Sequence, residues 1–249
     1  MDIETLRRLV EEAGFVLRGS VHHQWKGEAP AIPAEAGEIV AIRMEHILRS
    51  TPVLRSLAGH DALVITRHAD ELRQLRSPIL FTECISLGQQ LLLREIGHVE
   101  TSDETSRQVA EAITEADERP LLDRIAGAVL IVTGEVVESE ATESARSPES
   151  EHDPMWWVAR VAVKSVLKGR KPASKIEVLF ASSTDIAWFK SPKLYTGTSG
   201  IFLLRHVRED ETPKEVPRTA YEAIDPLDLL PAERLAEVER ALGEDRGDR

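Results

Sequence analysis

Five short segments recur in the same order in the two halves of this chain, and that recurrence restricts the fold more than any other feature. Gly19 in VLRGSV (16–21) matches Gly134 in IVTGEV (131–136), 115 residues further on. The apolar positions ahead of them keep the same spacing, Leu6 against Leu121 and Val10 against Ile125. RMEHILRS (43–50) matches AVKSVLKG (162–169) at 119, and ALVIT (62–66) matches EVLFA (177–181) at 115. PILFT (78–82) matches PKLYT (192–196) at 114, and LLLR (91–94) matches FLLR (202–205) at 111. An offset that changes only across loops is what duplication followed by loop drift leaves behind.

Each copy reads as short strands with a helix ahead of them. Ile3, Leu6, Leu9, Val10 and Ala13 share one face of a helix that stops at Gly14. Strands are expected at 15–21, 39–48, 62–66, 79–82 and 91–94, with a helical turn at 70–75. Residues 22–37 are rich in Pro, Gly and Ala and read as a loop. Residues 102–126 carry a helical pattern broken at Pro120. Residues 137–154 hold six acids, four serines and two prolines, a composition that buries too little to order itself. Residues 221–230 are extended and partly apolar. Pro231 then opens a helix with Leu235, Val238 and Leu242 on one face and Gly243 as its stop.

The expected class is therefore mostly β with peripheral helices, built as two tandem five-stranded Greek-key barrels of the oligonucleotide/oligosaccharide-binding type. The first barrel and its helix take 1–100, a helical linker 101–119, and the second barrel 120–208, with a disordered acidic loop at 137–154. A C-terminal extended segment and helix take 209–249.

In the second copy, GEV, a variable loop, WVARVAVKSVLKG, a third strand and TGTSGIFLLR resemble the netrin-like branch of these barrels, which includes metalloprotease-inhibitor modules. The resemblance covers 129–206 and, faintly, 15–96. It implies the barrel. Inhibition does not follow, because those modules are cysteine-rich and this chain has Cys84 alone.

A single cysteine excludes an internal disulfide framework and a cysteine-based zinc site. Beside Glu83, the Cys84 thiol is disfavoured as a nucleophile, and it reads as a small buried residue. Eight histidines show neither HxxxH nor HExxH spacing, so they read as exposed loop residues with no metal. His22 and His23 would need distant partners. Gly197-Thr-Ser-Gly200 fits a hairpin turn and neither a phosphate loop nor a nucleophile elbow. No cofactor motif is present. The charged, amphipathic start of the chain carries no apolar signal core, so a cytoplasmic location is expected.

The net charge is −12, which opposes phosphate backbones. Residues 129–208 depart from it, with 11 lysines and arginines against 9 acids. There Lys164, Lys168, Arg170, Lys171, Lys175, Lys190 and Lys193, with Trp156, Trp157 and Trp188, are the candidate ligand-binding residues, since bases stack on aromatics while cations neutralise phosphates. The opposing reading is a solvated barrel rim with Trp157 in the core. Without a catalytic constellation, the leading expectation is a non-catalytic interaction or assembly module with a protein partner. Single-stranded nucleic-acid binding by the basic barrel is the alternative, and a hydrolase using dispersed acids is the third. No membrane association is expected.

Overall fold

The structure is a computed structural model of the chain, and it describes residues 1–22, 37–86, 91–146, 150, 152–170, 172–208 and 213–247. His23 and Lys171 lie outside the described residues. The chain divides into two units, Met1–Glu118 and Arg119–Arg249.

In the first unit, helix α1 (Ile3–Glu12) precedes strands β1 (Phe15–Val21), β2 (Glu38–Arg49) and β3 (Asp61–Thr66). Helix α2 (Ala69–Gln74) and strands β4 (Ile79–Ser86) and β5 (Leu92–Val99) follow. Asp2 starts α1 by accepting a hydrogen bond from the Thr5 amide at 2.8 Å, which satisfies one of the amides a helix start leaves unpaired. The strands close into a barrel in the order β1-β2-β3-β5-β4, with β4 returning to β1. The β3–β5 pair is parallel and the other pairs are antiparallel. Strand alternation sorts the side chains. Phe15 and Leu17 enter the barrel with Ile42, Met44, Val64 and Leu93. Val16 faces outward beneath Leu6, Leu9 and Val10.

The second unit repeats the plan. Its strands are β6 (Leu130–Ala141), β7 (Trp156–Lys168), β8 (Lys175–Ala181), β9 (Ser199–His206) and β10 (Tyr221–Glu222). β10 pairs in parallel with β8 and antiparallel with β9, which closes the same five-strand order. Leu130 and Val132 enter the core, as Phe15 and Leu17 do 115 positions earlier. Ile131 faces outward beneath Leu121 and Ile125, as Val16 does beneath Leu6 and Val10. Both barrels and the duplication are thus as expected.

Four details of the expected layout are corrected. First, residues 192–196 are not a strand. The second-copy equivalent of β4 is β9, and that of β5 is the two-residue β10, so PILFT corresponds to GIFLL and LLLR to the segment at Tyr221. The boundary at 208 therefore cuts through a barrel. Second, helix α3 (Asp103–Gly127) runs through Pro120 without a break. Proline leaves only the carbonyl of half-buried Ala116 without its helical donor, and residues 117–120 are exposed.

Third, the acidic segment is largely ordered. Residues 137–141 extend β6 along β7, helix α4 (Glu143–Arg146) follows, and 147–149 and 151 lie outside the described residues. Arg160 on β7 meets Glu138 at 2.7 Å and Glu140 at 3.9 Å, giving the acids a counter-charge that composition does not reveal. Fourth, Cys84 is exposed on β4.

The rest of the C-terminal segment also belongs to the second unit. β11 (Leu229–Leu230) pairs with β9, and helix α5 (Leu235–Gly247) places Val238 and Leu242 over Ile131 and Leu203. No helix among the described residues is long and apolar enough to cross a membrane.

Gly19 and Gly134 occupy equivalent bends, each at a register slip in the first strand of its barrel. A Cβ on Gly19 would collide with the Arg43 carbonyl oxygen, and one on Gly134 would come within 2.8 Å of the Ala162 carbonyl oxygen. Arg43 and Ala162 are themselves the paired starts of RMEHILRS and AVKSVLKG. Gly19→Ala and Gly134→Ala are each expected to destabilise their barrel by about 1–3 kcal/mol through forced backbone displacement. Denaturant midpoints measure this, and wild-type midpoints in both variants would refute the close approach.

Candidate functional site

The basic residues of the second barrel have separate employments. Lys164 pairs with Glu135 at 2.9 Å. Lys168 Nζ donates to the carbonyls of Ile125 at 2.7 Å and Ala126 at 2.8 Å, where the end of α3 concentrates partial negative charge. Lys193 Nζ donates to the carbonyls of Ala181 (2.7 Å), Ser183 (2.8 Å) and Trp188 (3.0 Å). Burial lowers the Lys193 pKa below the usual lysine range. Arg170 is exposed just after the left-handed Gly169 (φ +92°), and Lys190 is exposed on the loop between β8 and β9.

The tryptophans are packed more than displayed. Trp156 is buried and meets Trp188 edge-on at 5.5 Å. Trp157 is half-buried between Phe180 at 6.2 Å and Tyr195 at 5.6 Å. The structure thus joins Trp156 with Trp188, while Lys164, Lys168 and Lys193 each turn to their own partners.

Lys175 borders a cavity of about 590 Å³ on the β7–β8 face, with Arg160, Glu138, Glu177, Ile176 and Tyr221. Its charges balance, two cations against two carboxylates. The hydrogen bond that Arg160 donates to Glu138 holds its pKa above the usual arginine range, and Glu177 lies 3.7 Å away. An anionic polymer meets no net attraction here.

The stronger feature is the loop between β8 and β9. It spans residues 182–198, is irregular and is heavily tied. The Asp185 carboxylate accepts from the Ala187 amide at 2.9 Å and meets His152 Nδ1 at 2.9 Å. These hydrogen bonds hold the Asp185 carboxyl below the usual range. Trp188 Nε1 donates to the His152 carbonyl at 2.9 Å, and its ring packs against the cluster of Trp156 and Leu179. Lys193 gathers three carbonyls beneath. On this fixed base Ile186 is 92% exposed and Phe189 69% exposed. Sequence reasoning picked Trp188 and Lys190 from this run and passed over its neighbours. The available signal was DIAWFK, an apolar run too short for a core strand and flanked by charges.

A scan against protein-family models finds no match for the chain, and a search of the curated proteins finds none either.

Proposed function

We propose that the protein is a non-catalytic interaction module of tandem barrels that engages a protein partner through Ile186 and Phe189. The observation that carries this reading is the contrast between the rigid base of the loop and the two large apolar side chains on its tip. Apolar surface in water is unfavourable by about 25 cal/mol per Å², so a fixed loop that keeps two such side chains exposed suits burial against something else. Rigidity lowers the ordering cost of association, and an aromatic anchor entering an apolar groove is the usual centre of a protein interface. The partner surface implied is an apolar groove with polar edges that meet Lys190 and Asp185. The single-strand alternative loses the cations that hold backbone carbonyls, which favours the protein reading. The cytoplasm suits a chain with an exposed free thiol.

A photo-crosslinking residue substituted for Phe189 is expected to trap a polypeptide of discrete mass in cells. Ile186→Ser should weaken that adduct strongly, by about 2 kcal/mol or roughly 30-fold in affinity, without moving the thermal melt. Absence of a protein adduct, or one indifferent to Ile186→Ser, would count decisively against the proposal.

A further inference from the structure

Three ligating side chains converge on the first barrel. His68 stands just ahead of α2, its amide held by the Thr66 hydroxyl at 2.8 Å. Glu95 and His98 come from β5. Residues three apart on a regular strand point to opposite faces. Here the β4–β5 ladder slips, Phe81 facing Gly97 and Thr82 facing Glu95, so Ile96 is an inserted residue. The bulge turns Glu95 and His98 to one side.

The Glu95 side chain is 2% exposed and that of His98 8%, whereas His68 is 53% exposed and opens the group to solvent. His98 therefore departs from the loop placement expected of the histidines. His98 Nδ1 lies 2.6 Å from Glu95 Oε1, and His68 Nδ1 lies 3.4 Å from the same carboxylate. One donor atom from each of the three falls within 4.8 Å of the others. On the far side, His98 Nε2 is 3.2 Å from Glu71 Oε1. The Thr66 hydroxyl donates to Glu95 Oε2.

His98 thus has a carboxylate at each ring nitrogen. A neutral imidazole carries one N–H, so one carboxylate would face a lone pair. With Nε2–H given to Glu71, positive charge is needed between Nδ1 and Glu95. A second proton supplies it, and so does a metal ion. A carboxylate on the remote nitrogen is the arrangement that orients ligating histidines. Around a tetrahedral ion with bonds of about 2.0–2.1 Å, donor atoms stand about 3.4 Å apart. His68 and Glu95 already have that separation, and the 2.6 Å between His98 Nδ1 and Glu95 Oε1 would open by about 0.8 Å to reach it.

We propose that His68, Glu95 and His98 bind a divalent transition-metal ion, with Glu71 as a positioning residue and a fourth coordination place open to solvent. Two imidazoles and one carboxylate suit zinc.

The test uses the intact chain, titrated with zinc against a chromophoric chelator and with cobalt followed by its visible spectrum. Saturation at one ion per chain is expected. His68→Ala, a change at an exposed ring that leaves the fold intact, should weaken binding by at least about 100-fold, and Glu71→Gln by about 10–100-fold with stoichiometry unchanged. Proton–nitrogen NMR should place the zinc-induced shift on His98 Nδ1. No saturable binding in the wild type overturns the proposal, as does equal affinity in the wild type and His68→Ala.

Discussion

Asp228→Ala is expected to cost the second unit about 3–5 kcal/mol, enough to unfold it in mild denaturant. Asp228 is fully buried, and both of its oxygens accept from the Arg124 guanidinium. Oδ2 also accepts from the amides of Ile224 at 2.8 Å and Asp225 at 2.9 Å. Removing the carboxylate takes from a buried guanidinium the counter-charge bonded to it and from two amides their acceptor. Both losses fall where water cannot replace the partner. The pair as a whole need not stabilise the fold, since taking two charges out of water offsets much of their attraction. The double replacement Arg124→Met with Asp228→Leu should therefore recover most of what the single change loses. Tryptophan fluorescence follows this unit well, because Trp156, Trp157 and Trp188 lie in it. A single-variant cost below about 1 kcal/mol would show that Arg124 finds another partner.

Ending the chain at Arg208, the boundary suggested by the repeat, should abolish cooperative folding of the second barrel altogether. The cut removes β10, whose backbone pairs with both β8 and β9, and it removes Leu230, Val238 and Leu242 from above Ile131 and Leu203. It also removes Asp228, so Arg124 is stranded as well. Amide exchange is expected to lose its protection from β6 to β9 while β1 to β5 keep theirs. A truncated chain with a sharp fluorescence transition would show that four strands and α3 suffice.

The repeat was legible where backbone geometry and side-chain pattern demand the same residue. Gly19 and Gly134 mark the bends because any side chain there meets a carbonyl, and the pair recurs at the spacing of the flanking strands. The last two strands of the second copy were not legible. FLLR and LLLR are both buried apolar runs, and matching them by composition set β9 against β5, whereas its equivalent in the first barrel is β4. β10 is two residues long, below any periodicity a pattern can register, and its place is set by hydrogen bonds to β8 and β9. The acidic run from 137 was misjudged because the compensating Arg160 lies on a neighbouring strand.

The candidate site was less legible still. Composition counts Lys168 and Lys193 as surface charge, whereas their ammonium groups are directed at backbone carbonyls, a relation that exists only after folding. Ile186 and Phe189 carried a readable signal, an apolar run beside Asp185, but nothing in the run says that the loop is held rigid. The histidine group was invisible to motif spacing, since it needs one residue from the β3–α2 connection and two brought together by a bulge.

The two residues of β10 also set a timetable. A chain made from its N-terminus completes β6 to β9 before Tyr221 exists. Until then β8 and β9 each present unpaired amides and carbonyls along an edge, a template for any extended segment nearby. At synthesis rates of about 5–20 residues per second, the stretch from His206 to Glu222 takes on the order of one to three seconds. For that interval the segments of β6 to β9 exist without the residues that let them fold, open to strand addition from a neighbouring nascent chain or to capture by a chaperone, and the exposure ends once Tyr221, Glu222 and the segment behind them arrive.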